Sequence, residues 1–415
     1  MMDSLIGSFL RTWSNQMNGC KRGVLMIPNR LGQFYQPLWL KRKMTFPKMI
    51  KPMVTPALIN KFGNENDYFW WGIIAAAFFA GHQAVECHMD NPEHARHLFE
   101  AYEQGELLGE GAFGSVYAAR DRRTGAPFAL KVMDKHRTAA AAFRKEVAML
   151  RAVARLGAHP HVVGVAGVWE DPRRYYLLME LVSGGELFEH LIAHGAYSEA
   201  DAARLLRGVA SALAFLHSAG IVHLDVKPEN LMLSDAGPAP AVKLIDFGSA
   251  SRPGRWSDPD VGTRAYWPPE TQTKARVEHT AAIDLWGLGV VMYILLVGAH
   301  PFDLQGQLTD EEVGARIMCN PAPTGPEHCG HLSPAAVGLL RRLLARDPAR
   351  RPSAQEVLAH PWVAEAQDSH GQHLPMFRDA LRQYNLRRKF KAGMVAVEAI
   401  SIWKHSSSVT PNTDR

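Results

Sequence analysis

The stretch His223-Leu224-Asp225-Val226-Lys227-Pro228-Glu229-Asn230 constrains this chain more than any other. It sets a carboxylate, an ammonium and an amide within six residues of one another. That is equipment for moving a phosphoryl group from a nucleotide to a hydroxyl. Asp225 would accept the proton of the attacking hydroxyl, Lys227 would neutralise the migrating group, and Asn230 would hold a magnesium ion. Such a string needs partners at set distances, and two candidates exist. Upstream stands Leu108-Gly109-Glu110-Gly111-Ala112-Phe113-Gly114-Ser115-Val116, and downstream Asp246-Phe247-Gly248. Around the glycines apolar and polar residues alternate, which suits two strands joined by a loop whose backbone approaches phosphates closely.

After Val116 comes Phe128-Ala129-Leu130-Lys131, and then Glu146 in a run with helical apolar spacing. Together these motifs resemble the eukaryotic protein kinase family over about residues 100–362. The resemblance implies an α+β, bilobal fold with a small β-rich N-lobe and a large helical C-lobe. It implies ATP and Mg2+ as cofactors, with Asp225 and Lys227 catalytic and Asn230 and Asp246 as metal ligands. Nucleotide contacts are implied for Leu108, Gly109, Gly111, Gly114, Val116, Ala129 and Lys131, with Glu146 positioning the lysine. Met179-Glu180-Leu181 matches the hinge that serves adenine through backbone groups, Met232 the floor beneath the base, and Glu186 the ribose contact. Glu186 and Glu229 could together hold a basic residue of a peptide substrate, or simply cap and solvate their elements. Asp284 resembles a brace beneath the catalytic loop, and Glu270 a partner for Arg351.

Two departures from the common pattern carry information. Leu224 stands where an arginine often pairs with a phosphate, and the place that usually carries an activating phosphothreonine reads Asp258-Pro259-Asp260. Both suggest a loop set without phosphorylation. Thr263 with Lys227 resembles serine/threonine rather than tyrosine kinases. The rival from another class is a pseudokinase scaffold, against which stand all four working side chains, Lys131, Asp225, Asn230 and Asp246.

The rest of the chain bounds the setting. The 415 residues, 47% hydrophobic and 21% charged with a formal charge of +5, are ordinary for a soluble globular protein and give no argument for nucleic acid. Cys20, Cys87, Cys319 and Cys329 show no zinc spacing, so free thiols in a reducing compartment are expected. Between Ser4 and Asn64 there is no acidic residue, a composition like that of organelle transit peptides. Residues 68–81 form an uncharged apolar run of 14 residues. This is short of the roughly 20 that a spanning helix needs. A packed or interfacial segment and a membrane contact both remain open, and with them a cytoplasmic setting or a mitochondrial or membrane-associated one.

Beyond a linker at 363–380, residues 381–404 are basic and amphipathic. Leu386, Phe390, Met394 and Val397 share a helical stripe, with Arg387, Arg388, Lys389 and Lys391 around it. Phe390 and Trp403 lie thirteen residues apart, which suits the two grooves of calcium-loaded calmodulin. The segment resembles the regulatory tail of calcium/calmodulin-dependent protein kinases, and the uncharged residue at 224 is similar to that of myosin light chain kinases. No EF-hand loop is present, so calmodulin would be a separate partner. The alternative is a helix that packs its stripe on the larger lobe or touches a membrane. The expected division is an extension at 1–99, a kinase domain at 100–362, the linker, the regulatory segment at 381–404 and a tail at 405–415.

Overall fold

The computed structural model describes residues 27–28, 34–35, 93–111, 114–194, 198–237, 240–257, 263–272, 276–365 and 379–391. The chain divides into two compact units, Met1–Phe79 and Ala80–Arg415. In the first, strands β1 (Ile27–Pro28) and β2 (Phe34–Tyr35) pair antiparallel. The apolar run at 68–81 lies outside the described residues. Among the described residues no helix is long and apolar enough to cross a membrane.

Among the described residues of the second unit, the first elements are β3 (Glu93–His94) and α1 (Ala95–Ala101). Next come β4 (Tyr102–Gly111), β5 (Gly114–Asp121), β6 (Pro127–Asp134), α2 (Ala140–Ala154), β7 (Val165–Glu170) and β8 (Arg174–Glu180). Their sheet has the order β3-β7-β8-β6-β5-β4, with every pair antiparallel except β3 on β7. β3 thus adds an edge strand, and α1 lays Ala95 and Leu98 into a cluster with Leu130, Trp169, Tyr176 and Leu178. Residue 100 itself falls inside α1, so β3 and most of α1 precede it while packing on the sheet.

The larger lobe holds α3 (Leu187–His194), α4 (Glu199–Ser218), the hairpin of β9 (Leu231–Leu233) with β10 (Val242–Leu244), and the pair β11 (Trp256–Ser257) with β12 (Val277–Glu278). Helices α5 (Ala281–Val297), α6 (Asp310–Cys319), α7 (Pro326–Cys329), α8 (Pro334–Leu343), α9 (Ala354–Ala359) and α10 (Pro361–Ala364) complete it. α5 is apolar all round, as a helix must be that meets protein on every side, and each residue from Ile283 to Leu296 is buried. A Cβ on Gly287 would come 2.8 Å from the Val226 carbonyl oxygen, so only glycine lets this central helix approach the catalytic loop so closely. α4 starts on a reciprocal cap between Ser198 and Asp201. Residues 379–391 form a further helix, the tail helix, which lies on the larger lobe.

Candidate active site

Strand geometry delivers the first cation. Lys131 sits mid-strand in β6, with its amine 2.8 Å from Glu146 on α2 and 3.7 Å from Asp246. Burial by itself pushes the Lys131 ammonium down, but the two carboxylates outweigh it and hold it above the ordinary lysine range. Asp246 responds in the opposite sense. Burial favours its neutral form, and Lys131 together with the Gly248 N–H holds it ionised and below the usual carboxylate range. Gly114 lets β5 run close beside β6, since a Cβ there would lie 2.0 Å from the Val132 carbonyl oxygen. Leu108 and Gly109 belong to β4, Val116 to β5 and Ala129 to β6, where Ala129 pairs with Ala118 and Met179. Gly111 pairs with Gly114, and Ala112 and Phe113 lie outside the described residues.

The catalytic loop is braced from beneath. Asp284, in the first turn of α5, accepts from the backbone N–H of His223 at 2.8 Å and of Leu224 at 2.7 Å, while His217 lies 2.8 Å away. Burial alone would raise this carboxyl, yet His217 and these N–H donors hold it below its ordinary value. Leu224 and Asp246 are the two non-glycine residues with left-handed backbone among those described, at φ 66° and 62°. Such strain costs of order 1–3 kcal/mol and gathers where geometry serves function.

Within the loop, Lys227 Nζ lies 2.8 Å from Asp225 and donates to Thr263 Oγ1 at 2.7 Å. Asn230 Nδ2 donates to the Asp225 carbonyl at 2.8 Å and to its Oδ2 at 3.0 Å. Asp225 Oδ1 is buried and has no partner, which leaves one carboxylate oxygen to accept a proton. The donor set fits a hard cation. The Asn230 amide nitrogen is occupied, so its oxygen is available, and both Asp246 contacts fall on Oδ1, which leaves Oδ2. Magnesium takes few protein oxygens and completes its shell with phosphate and water.

At the hinge, the Glu180 backbone N–H donates to Gly164 O at 2.9 Å and its carboxylate pairs with Lys243 at 2.8 Å. Met232 bridges to Glu186, which places both at the front of the larger lobe. Glu186 faces the tail helix. Arg388 binds Glu186 with one guanidinium nitrogen and Glu229, at 2.9 Å, with another. Burial opposes the charge on Arg388, but the two carboxylates raise its pKa further above the ordinary arginine value.

The same helix buries Leu381 and Asn385, pairs Lys389 with Glu189, and sets Lys391 on Asp303 and the Leu308 carbonyl. Tyr384 meets Tyr266 hydroxyl to hydroxyl at 2.6 Å. Leu386 and Phe390, of the stripe expected to bind calmodulin, are exposed, which overturns for these two the alternative of a stripe packed on the lobe, and Met394, Val397 and Trp403 lie outside the described residues. Sequence reasoning missed this docking face. Its signal was Leu381, Tyr384, Asn385, Arg388 and Lys391, which recur at three- and four-residue steps.

A strand lysine paired to a helix carboxylate and a braced Asp-Lys-Asn loop facing Asp246, set between a sheet and a helical lobe, define an enzyme of phosphoryl transfer to protein. The chain belongs to the protein kinase family, whose domain matches residues 102–363. It is 36% identical to the serine/threonine-protein kinase PKZ1 of Phytophthora infestans over 65% of this chain and 71% of that protein. The same identity holds to calcium/calmodulin-dependent protein kinase type 1B of Homo sapiens, over 66% of this chain and 78% of the relative. Calcium-dependent protein kinase 9 of Oryza sativa is also 36% identical, with 75% of this chain matched and 54% of the plant protein. The chain is a serine/threonine protein kinase, and it is similar to kinases of the calcium/calmodulin-dependent and calcium-dependent groups.

Proposed function

We propose that this kinase transfers the γ-phosphoryl of ATP to a serine or threonine on basic protein substrates, and that its tail helix holds it inactive until calcium-loaded calmodulin takes the helix away. Asp225 orients the substrate hydroxyl and accepts its proton on Oδ1. Lys227 neutralises charge on the group in flight while holding Thr263. Lys131, fixed by Glu146, positions phosphates beneath the glycine strands, and Asn230 and Asp246 would hold Mg2+, which when bound screens the phosphate charge.

The observation that carries the regulatory part is Arg388 between Glu186 and Glu229. A basic residue of the chain itself fills the acidic notch where a basic residue of a substrate would be read. The Tyr384–Tyr266 contact adds an obstruction three residues from Thr263. Calmodulin is supported by the exposed Leu386 and Phe390 on a helix whose opposite face is docked, because the grooves of that protein take bulky apolar anchors from basic helices. Binding only the released helix would draw the equilibrium toward the open enzyme.

The test is an assay of the full chain and of a chain ending at residue 380, each with and without calcium-loaded calmodulin. The full chain should respond to calmodulin, and the truncated chain should be active without it. Equal activity in all four arms removes the regulatory reading. Asp225→Asn should abolish transfer while MgATP still raises the melting temperature, and retention of most activity would remove Asp225 as the base.

A further inference from the structure

We infer that Trp267 is a positioning residue for phosphoryl transfer: buried in one apolar cluster with Leu224, it fixes the substrate loop to the catalytic loop and does the work that a phosphate–arginine link would otherwise do. The inference rests on the reading of Asp225 as the base. Two loops must keep register if a substrate hydroxyl is to meet that carboxylate, namely 223–230 and 263–267. One bridge between them is polar, from Lys227 to Thr263 at 2.7 Å. The other is apolar. Leu224 and Trp267 are 8% and 6% exposed and lie in a cluster with Val222, Val277 and Ile283 that stands apart from the main core.

Leu224 brings no charge to this cluster, so the residue that precedes Asp225 has nothing with which to bind a phosphate. A second feature replaces that tie. β11, on the segment leading into the substrate loop, pairs with β12 through Trp256 to Glu278 and Ser257 to Val277. The Gly254 N–H donates to His279 O at 3.0 Å, the His279 N–H donates to Arg255 O at 2.8 Å, and the Ser257 hydroxyl lies 2.9 Å from the His279 ring. Val277 belongs to both the strand clasp and the apolar cluster, so each supports the other.

The Trp267 indole N–H is buried without a partner, which shows that the ring is placed for shape and apolar contact rather than for a hydrogen bond. Removing the ring would leave Leu224 against a void, and the substrate loop would be free to settle about an ångström away.

The experiment uses the full chain made in bacteria, with and without phosphatase treatment, and assayed on a basic peptide with calcium-loaded calmodulin present and absent. Trp267→Ala should lower kcat by about tenfold or more, as small misplacements of reacting groups do. The KM for ATP and the MgATP-induced rise in melting temperature should stay at wild-type values. Trp267→Phe should remain within about twofold of wild type because it restores most of the ring volume. Leu224→Met should keep activity, and Leu224→Arg should lose it as Trp267→Ala does.

An unchanged kcat in Trp267→Ala overturns the inference, and so does an equal loss in the phenylalanine and alanine variants. Loss of wild-type activity on phosphatase treatment overturns it too, because a loop phosphate would then be the fastener. If Trp267→Ala fails to fold, the Leu224 pair decides, and equal kcat in Leu224→Met and Leu224→Arg overturns it. A wild-type chain inactive in every arm strikes at the proposed reaction itself, a result distinct from the others.

Discussion

The Arg388 guanidinium is shared between two carboxylates of the larger lobe, with Glu229 at 2.9 Å and Glu186 on its other nitrogen. Reversing that charge should open the enzyme. Arg388→Glu would face two acids at close range, and losing charge-assisted hydrogen bonds of this part-buried kind costs about 1.5–3 kcal/mol. Calmodulin-free activity should rise by at least about tenfold, the change that 1.4 kcal/mol of lost docking would give. Basal activity equal to wild type would show that the tail helix does not restrain the enzyme.

Phe390 lies on the opposite face and is 70% exposed. Phe390→Ala should therefore leave basal activity unchanged while weakening calmodulin's effect by about tenfold or more in the concentration needed, as the loss of a bulky anchor does. Titration of activity against calmodulin separates the two faces. A rise in basal activity in this variant would mean that Phe390 also docks.

Leu98, fully buried in α1, tests how far the lobe extends. Leu98→Ala should cost about 2–5 kcal/mol of stability, the range for deleting a core leucine. A chain starting at residue 92 should melt like the full second unit, and one starting at residue 102 should melt well below it. Identical melting temperatures would make α1 and β3 dispensable decoration.

His300 predicts acid lability. Burial pushes its imidazole down to about 4, and its contacts fit the neutral ring, with Nε2–H donating to Ala265 O at 3.0 Å and Nδ1 accepting from Phe302 N–H at 3.3 Å. Asp303 favours its protonation and Lys391 opposes it. The folded value lies below the unfolded one of about 6.5, so in that window the unfolded chain binds the extra proton. Stability should thus fall as pH drops from 6.5 toward 4, by on the order of 2–3 kcal/mol from this group. Urea unfolding across that range should show a shallower decline in His300→Gln, and parallel curves would clear His300 of the effect.

Much of the chemistry was legible because its residues come as pairs with one use. A strand lysine needs a carboxylate, and Glu146 stood at a helical position to supply it. A carboxylate at the start of a wholly apolar helix has to be spent on backbone donors, as Asp284 is. Glu270 likewise meets Arg351, at 2.6 Å and 2.8 Å.

The tail was harder, since periodicity tells which residues share a face but not which face finds a surface. Tyr384 and Asn385 read as polar, yet Asn385 is buried and Tyr384 partly buried against the lobe while Phe390 stays out. A two-residue strand such as β3 has no period to read at all, and the Lys243–Glu180 pair joins residues 63 positions apart with no local signal.

The Lys131–Glu146 pair is closed while the tail helix is docked. In the proposed scheme the nucleotide side of the enzyme is therefore assembled at rest, and the obstruction lies wholly on the side of the acceptor. The resting kinase can keep its fuel loaded. The lag between a calcium rise and the first turnover would then be set by the dwell time of one helix on one groove, a clock that mutations in the tail can reset without touching the chemistry.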